Sequence, residues 1–428
     1  MRKITEFDNS VWDEGLSVWK SILAYRREKK NPTKSQLAYF DLYIDYLTKL
    51  QKARDEGGFI VAHATSIPAE ILYAMDMTPI LLVGTCFAIT QCVKQHPKFM
   101  QVAKEYGISS DTCSAHRGII SHCLQGALPK PNVFIDVGSG CDAFSNSMKI
   151  AADLYDTPHY QVDAPYYGTE RSIKYLAEQF EDMIRFLERE SGRKMDWDRL
   201  SNSLHYSQRM AELWGEVWEL RKAVPTPMDN RRAWETNWIN WFFYGTPEGV
   251  KYWEVLRDEL KERVEKGVSA FPDVKERFRI LDLFMGPAFD LRIEEWMQQE
   301  WGANIVAETL IYYKPGFKME PEKPLESLAV RWYAGPIWST VQGPVEDYNR
   351  VAVQIAKDFK ADAAVWWDQK DCRQAGAIKL VEDALERDAG IPTVRIDLDI
   401  TDPSFVSSDE VKENLSSFFE ILESRKEG

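Results

Sequence analysis

The chain has 428 residues, enough for two or three domains, and its 44% hydrophobic and 28% charged content is typical of a globular protein. Its 67 acidic and 53 basic residues give a net charge of −14, which disfavours a nucleic-acid-binding or anionic-membrane-binding role. No stretch approaches 18 apolar residues, and the first residues lack the apolar segment of a signal peptide. We therefore expect a cytoplasmic protein without a membrane span.

The first residues, up to about position 55, predict two helices. Apolar residues recur at helical spacing over 12–29 and again over 35–53. Asn31-Pro32, between the two segments, predicts a break.

Short apolar strands then alternate with helical segments on either side of a helical stretch, 169–267, in which we predict no strand. The predicted strands are 59–63, 79–83, 132–137, 159–163, 279–284, 304–308, 361–366 and 393–397. This alternation is typical of doubly wound parallel sheets. We predict an α/β protein with N-terminal helices, two doubly wound domains and a helical middle segment, divided as 1–57, 58–168, 169–268 and 269–428.

The helix after the first strand is predicted to begin at Ser66, as its N-cap, with Pro68 in the first turn. Glu70 would lie one turn into this helix, near the strand ends. It could contact a substrate or a bound metal, or it could be a first-turn carboxylate that the helix dipole favours. Ser66 could likewise bind a substrate or only cap the helix.

The six cysteines include no pair two residues apart, which argues against a zinc ribbon and against a thioredoxin-type redox pair. Cys141 and Cys372 each follow an apolar strand, and Cys113 follows polar residues that predict a helix start. Ligands collect at the carboxyl ends of parallel strands, where helix N-termini favour a thiolate by lowering the pKa of the thiol. These three cysteines are therefore candidate metal ligands. The other three, namely Cys86, Cys92 and Cys123, are better explained as buried apolar residues.

The two predicted halves share an order of features. Strand 132–137, Cys141 and a helix correspond to strand 361–366, Cys372 and a helix, which indicates a weak internal repeat. The turn Gly138-Ser-Gly140 lacks the spacing of a phosphate-binding loop or of a dinucleotide fingerprint. We therefore predict no ATP or NAD site here.

Several segments together resemble the 2-hydroxyacyl-CoA dehydratase and benzoyl-CoA reductase family over roughly residues 58–424. The segments that carry the resemblance are 60–75 with Pro79, Cys113-Ser-Ala-His-Arg117, Gly140-Cys-Asp142, Lys370-Asp-Cys-Arg373, and 390–399 with Asp402-Pro403. Two features depart from the family pattern. Asp76 stands where the family often has glycine, and Cys86 and Cys92 fall where the common dehydratase subunits need no cysteine.

The resemblance implies two α/β domains with an iron–sulfur cluster in the cleft between them, a smaller homologous cluster-bearing partner subunit, and a separate ATP-hydrolysing iron–sulfur activator. It implies that Cys113, Cys141 and Cys372 bind a [4Fe-4S] cluster whose fourth iron has no protein sulfur ligand. His116 and Glu70 become candidate catalytic residues, and Ser66 and Arg117 candidate substrate-binding residues. Arg117 could equally form an ordinary ion pair.

The activity implied first is radical elimination of water from a 2-hydroxyacyl-CoA thioester through a ketyl radical. Three alternatives stay open at this point. The chain could be a subunit of a dearomatising benzoyl-CoA-type reductase, a double-cubane [8Fe-9S] reductase, or a non-catalytic electron-relay subunit.

Overall fold

The computed structural model describes residues 3–29, 32–314 and 316–427, without the side chains of Ala233, Trp234 and Glu427. Helix α1 (Ser10–Arg27) and helix α2 (Lys34–Glu56) are the two predicted N-terminal helices. Part of the break predicted at Asn31-Pro32 lies outside the described residues, because Asn31 is not among them.

The first sheet has four parallel strands in the order β2-β1-β3-β4. Its strands are β1 (Ile60–His63), β2 (Thr78–Leu81), β3 (Val133–Val137) and β4 (His159–Val162). Its helices are α3 (Ala69–Ala74), α4 (Leu82–Cys92), α5 (His96–Tyr106), α6 (Ser114–Leu124) and α7 (Asp142–Tyr155). The strands β1 and β3 are buried throughout, as expected for a sheet covered on both faces.

Four helices follow this sheet, and residues 169–268, all of which are described, contain no strand. They are α8 (Glu170–Ser191), α9 (Trp197–Leu220), α10 (Arg231–Phe242) and α11 (Pro247–Lys266). Three of them begin with a side-chain cap: Thr169, Asp196 and Thr246 each accept a hydrogen bond from the backbone N–H three residues later. The residues predicted as a helical middle segment therefore carry helices and no strand.

The second sheet also has four parallel strands, in the order β6-β5-β7-β8. Its strands are β5 (Phe278–Asp282), β6 (Ala303–Glu308), β7 (Ala363–Gln369) and β8 (Thr393–Leu398). The helices in this part of the chain are α12 (Arg292–Trp301), α13 (Pro324–Ala334), α14 (Val345–Asp358), α15 (Ile378–Ala389) and α16 (Ser408–Glu427). Short 3-10 turns span Ala288–Asp290, Thr309–Ile311 and Arg373–Gly376, and a π-helical turn spans Trp338–Gln342.

All eight predicted strands are present, with ends that shift by a few residues, and the α/β class is confirmed. The internal repeat appears as topology. The strands β3 and β7 occupy the same place in their sheets, each between the first and the last strand of its own sheet in chain order. Each therefore ends beside the point where the strand order reverses, where ligands bind in open α/β sheets. The exact domain boundaries stay predictions.

The start of α3 differs from the prediction. The helix begins at Ala69 with Pro68 at the N-cap position, so Ser66 is not its cap. Proline has no N–H and a fixed φ, which suits it to this first position better than to the interior of the helix. Asp76, two residues past this helix, has φ +55°, a left-handed conformation that glycine adopts more readily.

No helix in the described part of the chain is both long enough and apolar enough to cross a membrane.

Candidate functional site

The carboxyl ends of both sheets meet at one cavity of about 520 Å³. Residues that follow strands of the first sheet line one side, and residues that follow strands of the second sheet line the other. The lining residues from the first sheet include Ala64, Thr65, Ser66, Val83, Ser139 and Cys141, and those from the second include Phe284, Met285, Leu310, Cys372 and Ile400.

Three cysteines come together in this cavity. Cys113, Cys141 and Cys372 all line it, and each is the N-cap residue of a helical turn, before α6, before α7 and before the 3-10 turn 373–376 respectively. None of the three forms a disulfide. The N-cap position places each thiol beside the free N–H groups of a helix start. The cavity is thus lined by three cysteines from three separate turns.

The other cysteines lie elsewhere. Cys86 and Cys123 belong to the main hydrophobic core, with 1% and 0% of their surface exposed. Cys92 is half-buried, and its thiol contacts the backbone carbonyl oxygen of Ile89 at 3.0 Å. Their placement agrees with the interpretation of all three as ordinary buried residues.

The pKa values of the three thiols are raised, whereas the sequence predicts lowered values. Burial raises the pKa of Cys113 and of Cys141, and it raises the pKa of Cys372 to about 11. Backbone N–H groups lower each pKa by a smaller amount, and the neighbouring cysteines raise the pKa of Cys113 and Cys372 further. The backbone N–H groups thus act in the predicted direction, but desolvation outweighs the field of one helix end, so each thiol pKa is raised overall.

His116 lies directly beside this cysteine group. Its Nε2 lies 3.4 Å from Cys141 Sγ, and its ring stacks on Phe144 with 5.1 Å between ring centroids. Burial lowers the pKa of His116 to about 4, so the ring is neutral at neutral pH. Its Nδ1 is buried and has no hydrogen-bond partner among the described residues. The ring can thus direct one nitrogen at a sulfur while remaining uncharged.

Arg117 points away from the cavity. Its guanidinium donates to Asp399 at 2.5 Å, to Asp402 at 3.3 Å and to the carbonyl oxygen of Thr112 at 2.8 Å. It is not among the residues that line the cavity. Arg117 therefore forms ion pairs, which is the alternative to substrate binding that the sequence left open.

Glu70 is also held in an ion pair. It is fully buried, accepts a hydrogen bond from Ser207 Oγ at 2.7 Å, and pairs with Arg331 at 2.8 Å. It does not line the cavity. From the start of α3, its side chain therefore contacts α9 and α13 and not the cavity.

Ser66 does line the cavity, and it contacts a residue that the sequence analysis missed. Gln342, on the π-helical turn, donates from Nε2 to Ser66 Oγ and to the carbonyl oxygen of Ser139, each at 3.3 Å. Single π-helical turns occur frequently at functional sites. The signal in the sequence is the pair of Gly-Pro dipeptides at 335–336 and 343–344, which bracket this turn.

Arg373 follows Cys372 directly, in the segment Lys370-Asp-Cys-Arg373. Its Nη1 donates to the carbonyl oxygen of Gly140 at 3.0 Å. Its charge lowers the pKa of both Cys141 and Cys372, although less than burial raises it. This places one permanent positive charge beside two of the three candidate sulfur ligands.

Within the described residues, no group of three or more His, Cys, Asp or Glu side chains is arranged to hold a metal ion. The cysteines of a cubane each bind a different iron, so their sulfurs need to stand farther apart than the ligands of one ion. Three thiols that line one cavity are the type of donor that such a cluster needs.

The family model for the D-component of 2-hydroxyglutaryl-CoA dehydratase matches residues 64–422, which is most of the chain. The chain belongs to this family. The matched range begins directly after β1 and ends in α16, so it includes all three cavity cysteines.

Relatives of this D-component family member are subunits of acyl-CoA enzymes. One of them, from the benzoyl-CoA reductase of Thauera aromatica, is 25% identical, over 78% of this chain and 82% of the relative. The alpha subunit of (R)-phenyllactyl-CoA dehydratase from Clostridium sporogenes is also 25% identical, over 76% and 80%. The alpha subunit of lactoyl-CoA dehydratase from Anaerotignum propionicum is 24% identical, over 91% and 96%. The family resemblance stated from the sequence motifs is confirmed, and the chain is an enzyme subunit of this family.

Proposed function

We propose that the chain is the iron–sulfur subunit of an ATP-activated 2-hydroxyacyl-CoA dehydratase, which eliminates water from a 2-hydroxyacyl-CoA thioester through a ketyl radical of the substrate. One observation carries the proposal: Cys113, Cys141 and Cys372, each on its own N-cap, converge on one cavity between two parallel sheets. The dehydratase subunits among the relatives support the substrate class.

A [4Fe-4S] cluster is the cofactor we propose for this cavity, and the same three cysteines would hold it. When bound, it would supply a low-potential electron and one iron without a protein sulfur ligand. Support comes from the chemistry of the donors. Three buried thiols with raised pKa values are costly to ionise alone, and iron is the kind of cation that stabilises them as thiolates.

The chain itself would contribute a dry binding site. The cavity wall is largely apolar, with Phe144, Trp241, Phe284 and Leu310 among its residues. Such a wall excludes water from a reactive acyl group and strengthens each polar contact inside. His116, neutral and within reach of Cys141, is placed to hold or pass a proton at Nε2.

We further propose a smaller homologous partner subunit and a separate ATP-hydrolysing iron–sulfur activator. The relatives are themselves named as subunits of larger enzymes, which supports a partner. The net charge of −14 supports neither nucleic acid nor anionic membrane as a partner. We expect the enzyme to be cytoplasmic.

A benzoyl-CoA-type dearomatising reductase is the second candidate. The Thauera reductase subunit is as similar to this chain as the phenyllactyl-CoA dehydratase subunit is. Aromatic side chains in the cavity, Phe144, Trp241 and Phe284, could stack on an aromatic ring. A double-cubane cluster has less support, because Cys86 and Cys123 lie in the hydrophobic core.

The test uses the complex of the chain with its smaller partner subunit and the activator, purified without oxygen and supplied with ATP and a reductant. The substrates are a panel of 2-hydroxyacyl-CoA thioesters and benzoyl-CoA. We expect enoyl-CoA formation from at least one hydroxy thioester, abolished by Cys372→Ala and retained by Cys92→Ala. Ring reduction of benzoyl-CoA without any dehydration would reverse the order of the two candidates, and inactivity on both substrate classes would contradict both.

A further inference from the structure

The turns that carry the three cavity cysteines are tied to each other across the two sheets. Arg373, the residue after Cys372, donates to the carbonyl oxygen of Gly140, the residue before Cys141, at 3.0 Å. A glycine is required at that position, since φ is +95° and a Cβ there would overlap the side chain of Gln342. The turn of Cys141 therefore rests directly on residues of the second sheet.

The turn of Cys113 is tied to the second sheet in the same way, but through different chemistry. The N–H of Ser114 donates to Asp399 Oδ1 at 3.2 Å, and Ser114 Oγ accepts the N–H of Thr401 at 3.0 Å. Arg117, one turn farther along α6, pairs with the other oxygen of Asp399 at 2.5 Å. Asp399 thus binds two residues of the Cys113 helix from the loop that follows β8.

These contacts close into a ring. His116 of the Cys113 helix reaches Cys141 Sγ at 3.4 Å, and the N–H of Lys370, just before Cys372, donates to Leu398 O, just before Asp399, at 2.7 Å. The links of Cys141 to the other two turns are single hydrogen bonds, and the turns of Cys113 and Cys372 are joined through residues 398–399 at the end of β8. A ring of this kind fixes the relative positions of three sulfurs that are remote in sequence.

The Arg117–Asp399 pair is a buried ion pair, not a surface one. The exposed fractions of the two side chains are 6% and 2%. A buried ion pair contributes little net stability compared with well-packed apolar residues, because both charges lose their hydration. What such a pair does provide is direction, since the planar guanidinium fork binds a carboxylate in a fixed orientation.

We propose that Arg117 and Asp399 are positioning residues, which hold Cys113 in the geometry that an iron–sulfur cluster requires. The inference rests on the proposed function, because it assumes that Cys113 is a cluster ligand. Neither residue touches the cavity; both act through the helix that begins at Ser114. Residues that orient metal ligands typically affect metal affinity about 10–100-fold when they are replaced.

The experiment compares Arg117→Met with Arg232→Met. Arg232 is a matched control, since it is also buried, at 3% exposure, and also lies between two carboxylates, Asp229 and Glu235. Both variants lose a buried arginine, but only one loses it beside a candidate ligand. The measurements, all without oxygen, are thermal unfolding of the protein before cluster loading, the rate of cluster loss to an iron chelator, and the electron paramagnetic resonance spectrum of the reduced cluster.

We expect both variants to lower the unfolding temperature, and only Arg117→Met to speed cluster loss by about 10-fold or more and to alter the spectrum. Arg117→Lys should recover part of the effect. If Arg117→Met does not fold, Asp399→Asn tests the same ion pair with a smaller change, and we expect it to speed cluster loss.

Unchanged cluster loss and an unchanged spectrum in the folded Arg117 and Asp399 variants would overturn the inference and leave the proposed function intact. A wild-type protein without iron would overturn the proposed function itself. Equal effects of Arg117→Met and Arg232→Met on cluster loss would show a general stability effect, which also overturns the inference.

Discussion

The imidazole Nε2 of His116 lies 3.4 Å from the sulfur of Cys141, so the helix that follows one candidate cluster ligand contacts another. With its proton on Nε2, the neutral ring donates a hydrogen bond to that sulfur. Hydrogen bonds to the sulfurs are one of the factors that set the reduction potential of an iron–sulfur cluster. The contact is therefore expected to influence electron transfer as well as packing.

We predict that His116→Phe keeps the iron content of the loaded protein and makes the reduction potential of the cluster more negative. Phenylalanine preserves the ring stacking on Phe144 and removes the N–H donor. The measurement is a redox titration of both proteins followed by electron paramagnetic resonance. An unchanged potential at equal iron content would show that the ring nitrogen does not act on the cluster.

We predict that Gly140→Ala lowers the free energy of unfolding by more than Gly192→Ala does. Both glycines are left-handed, with φ +95° and +70°, so both substitutions cost about 1–2 kcal/mol in backbone strain. At position 192 a Cβ would have nothing within 4 Å, whereas at position 140 it would overlap Gln342, which adds about 1–3 kcal/mol.

The check for this pair is denaturant unfolding of both variants and of Gly140→Ala with Gln342→Ala. The second substitution should restore part of the loss, because it removes the overlapping atoms. Equal losses in the two single glycine variants would show that the contact between Gly140 and Gln342 is not tight.

We predict that Glu70→Ala destabilises the protein by about 3–5 kcal/mol, because it leaves the mostly buried Arg331 without its carboxylate. As a control, Asp153→Ala removes one partner of the exposed Lys149–Asp153 pair and should cost about 1 kcal/mol or less. Denaturant unfolding measures both. If Glu70→Ala proves as mild as the control and instead abolishes turnover in a stable protein, the catalytic role first considered for Glu70 would replace the structural one.

We predict that acid destabilises the protein partly through His122. Burial lowers the pKa of His122 to about 3, whereas an unfolded histidine has a pKa of about 6.5. The unfolded state therefore binds a proton first, so this contribution to stability is present above pH 6.5 and is lost as the pH falls toward 3. Between about pH 6.5 and pH 5 the loss from this group is about 2 kcal/mol.

The variant for this test is His122→Phe, since the ring lies between the aromatic rings of Trp12 and Phe99. Unfolding by denaturant near pH 7.5 and near pH 5 should show a smaller drop in stability for the variant than for the wild type. A drop of the same size in both proteins would mean that another group takes up the proton.

Much of the fold could be predicted from the sequence because it depends on local patterns. Eight short apolar runs separated by helical segments predict eight parallel strands, and glycine, proline and polar residues mark their ends. The three cavity cysteines could be identified for the same reason. Two of them directly follow strands, and parallel strands bring their carboxyl ends to one edge of a sheet.

The rest depends on contacts between residues far apart in the chain. Glu70 meets Arg331 across 261 positions, and Arg117 meets Asp399 across 282, so no spacing in the sequence could show that these candidate site residues are ion-paired away from the cavity. The raised thiol pKa values could not be predicted from the sequence for a related reason. The field of a helix end is a local property, but the burial that outweighs it depends on the packing of both sheets around the cavity.

The most direct test of the account is the iron and sulfide content of protein purified without oxygen. The proteins to compare are the wild type, the three single alanine variants of Cys113, Cys141 and Cys372, and Cys92→Ala as a half-buried cysteine outside the cavity. We predict about four irons and four sulfides per chain in the wild type and in Cys92→Ala, and loss of most of the iron in each of the other three. A wild-type protein without iron, or variants of all three cavity cysteines that keep their iron, would contradict the central claim.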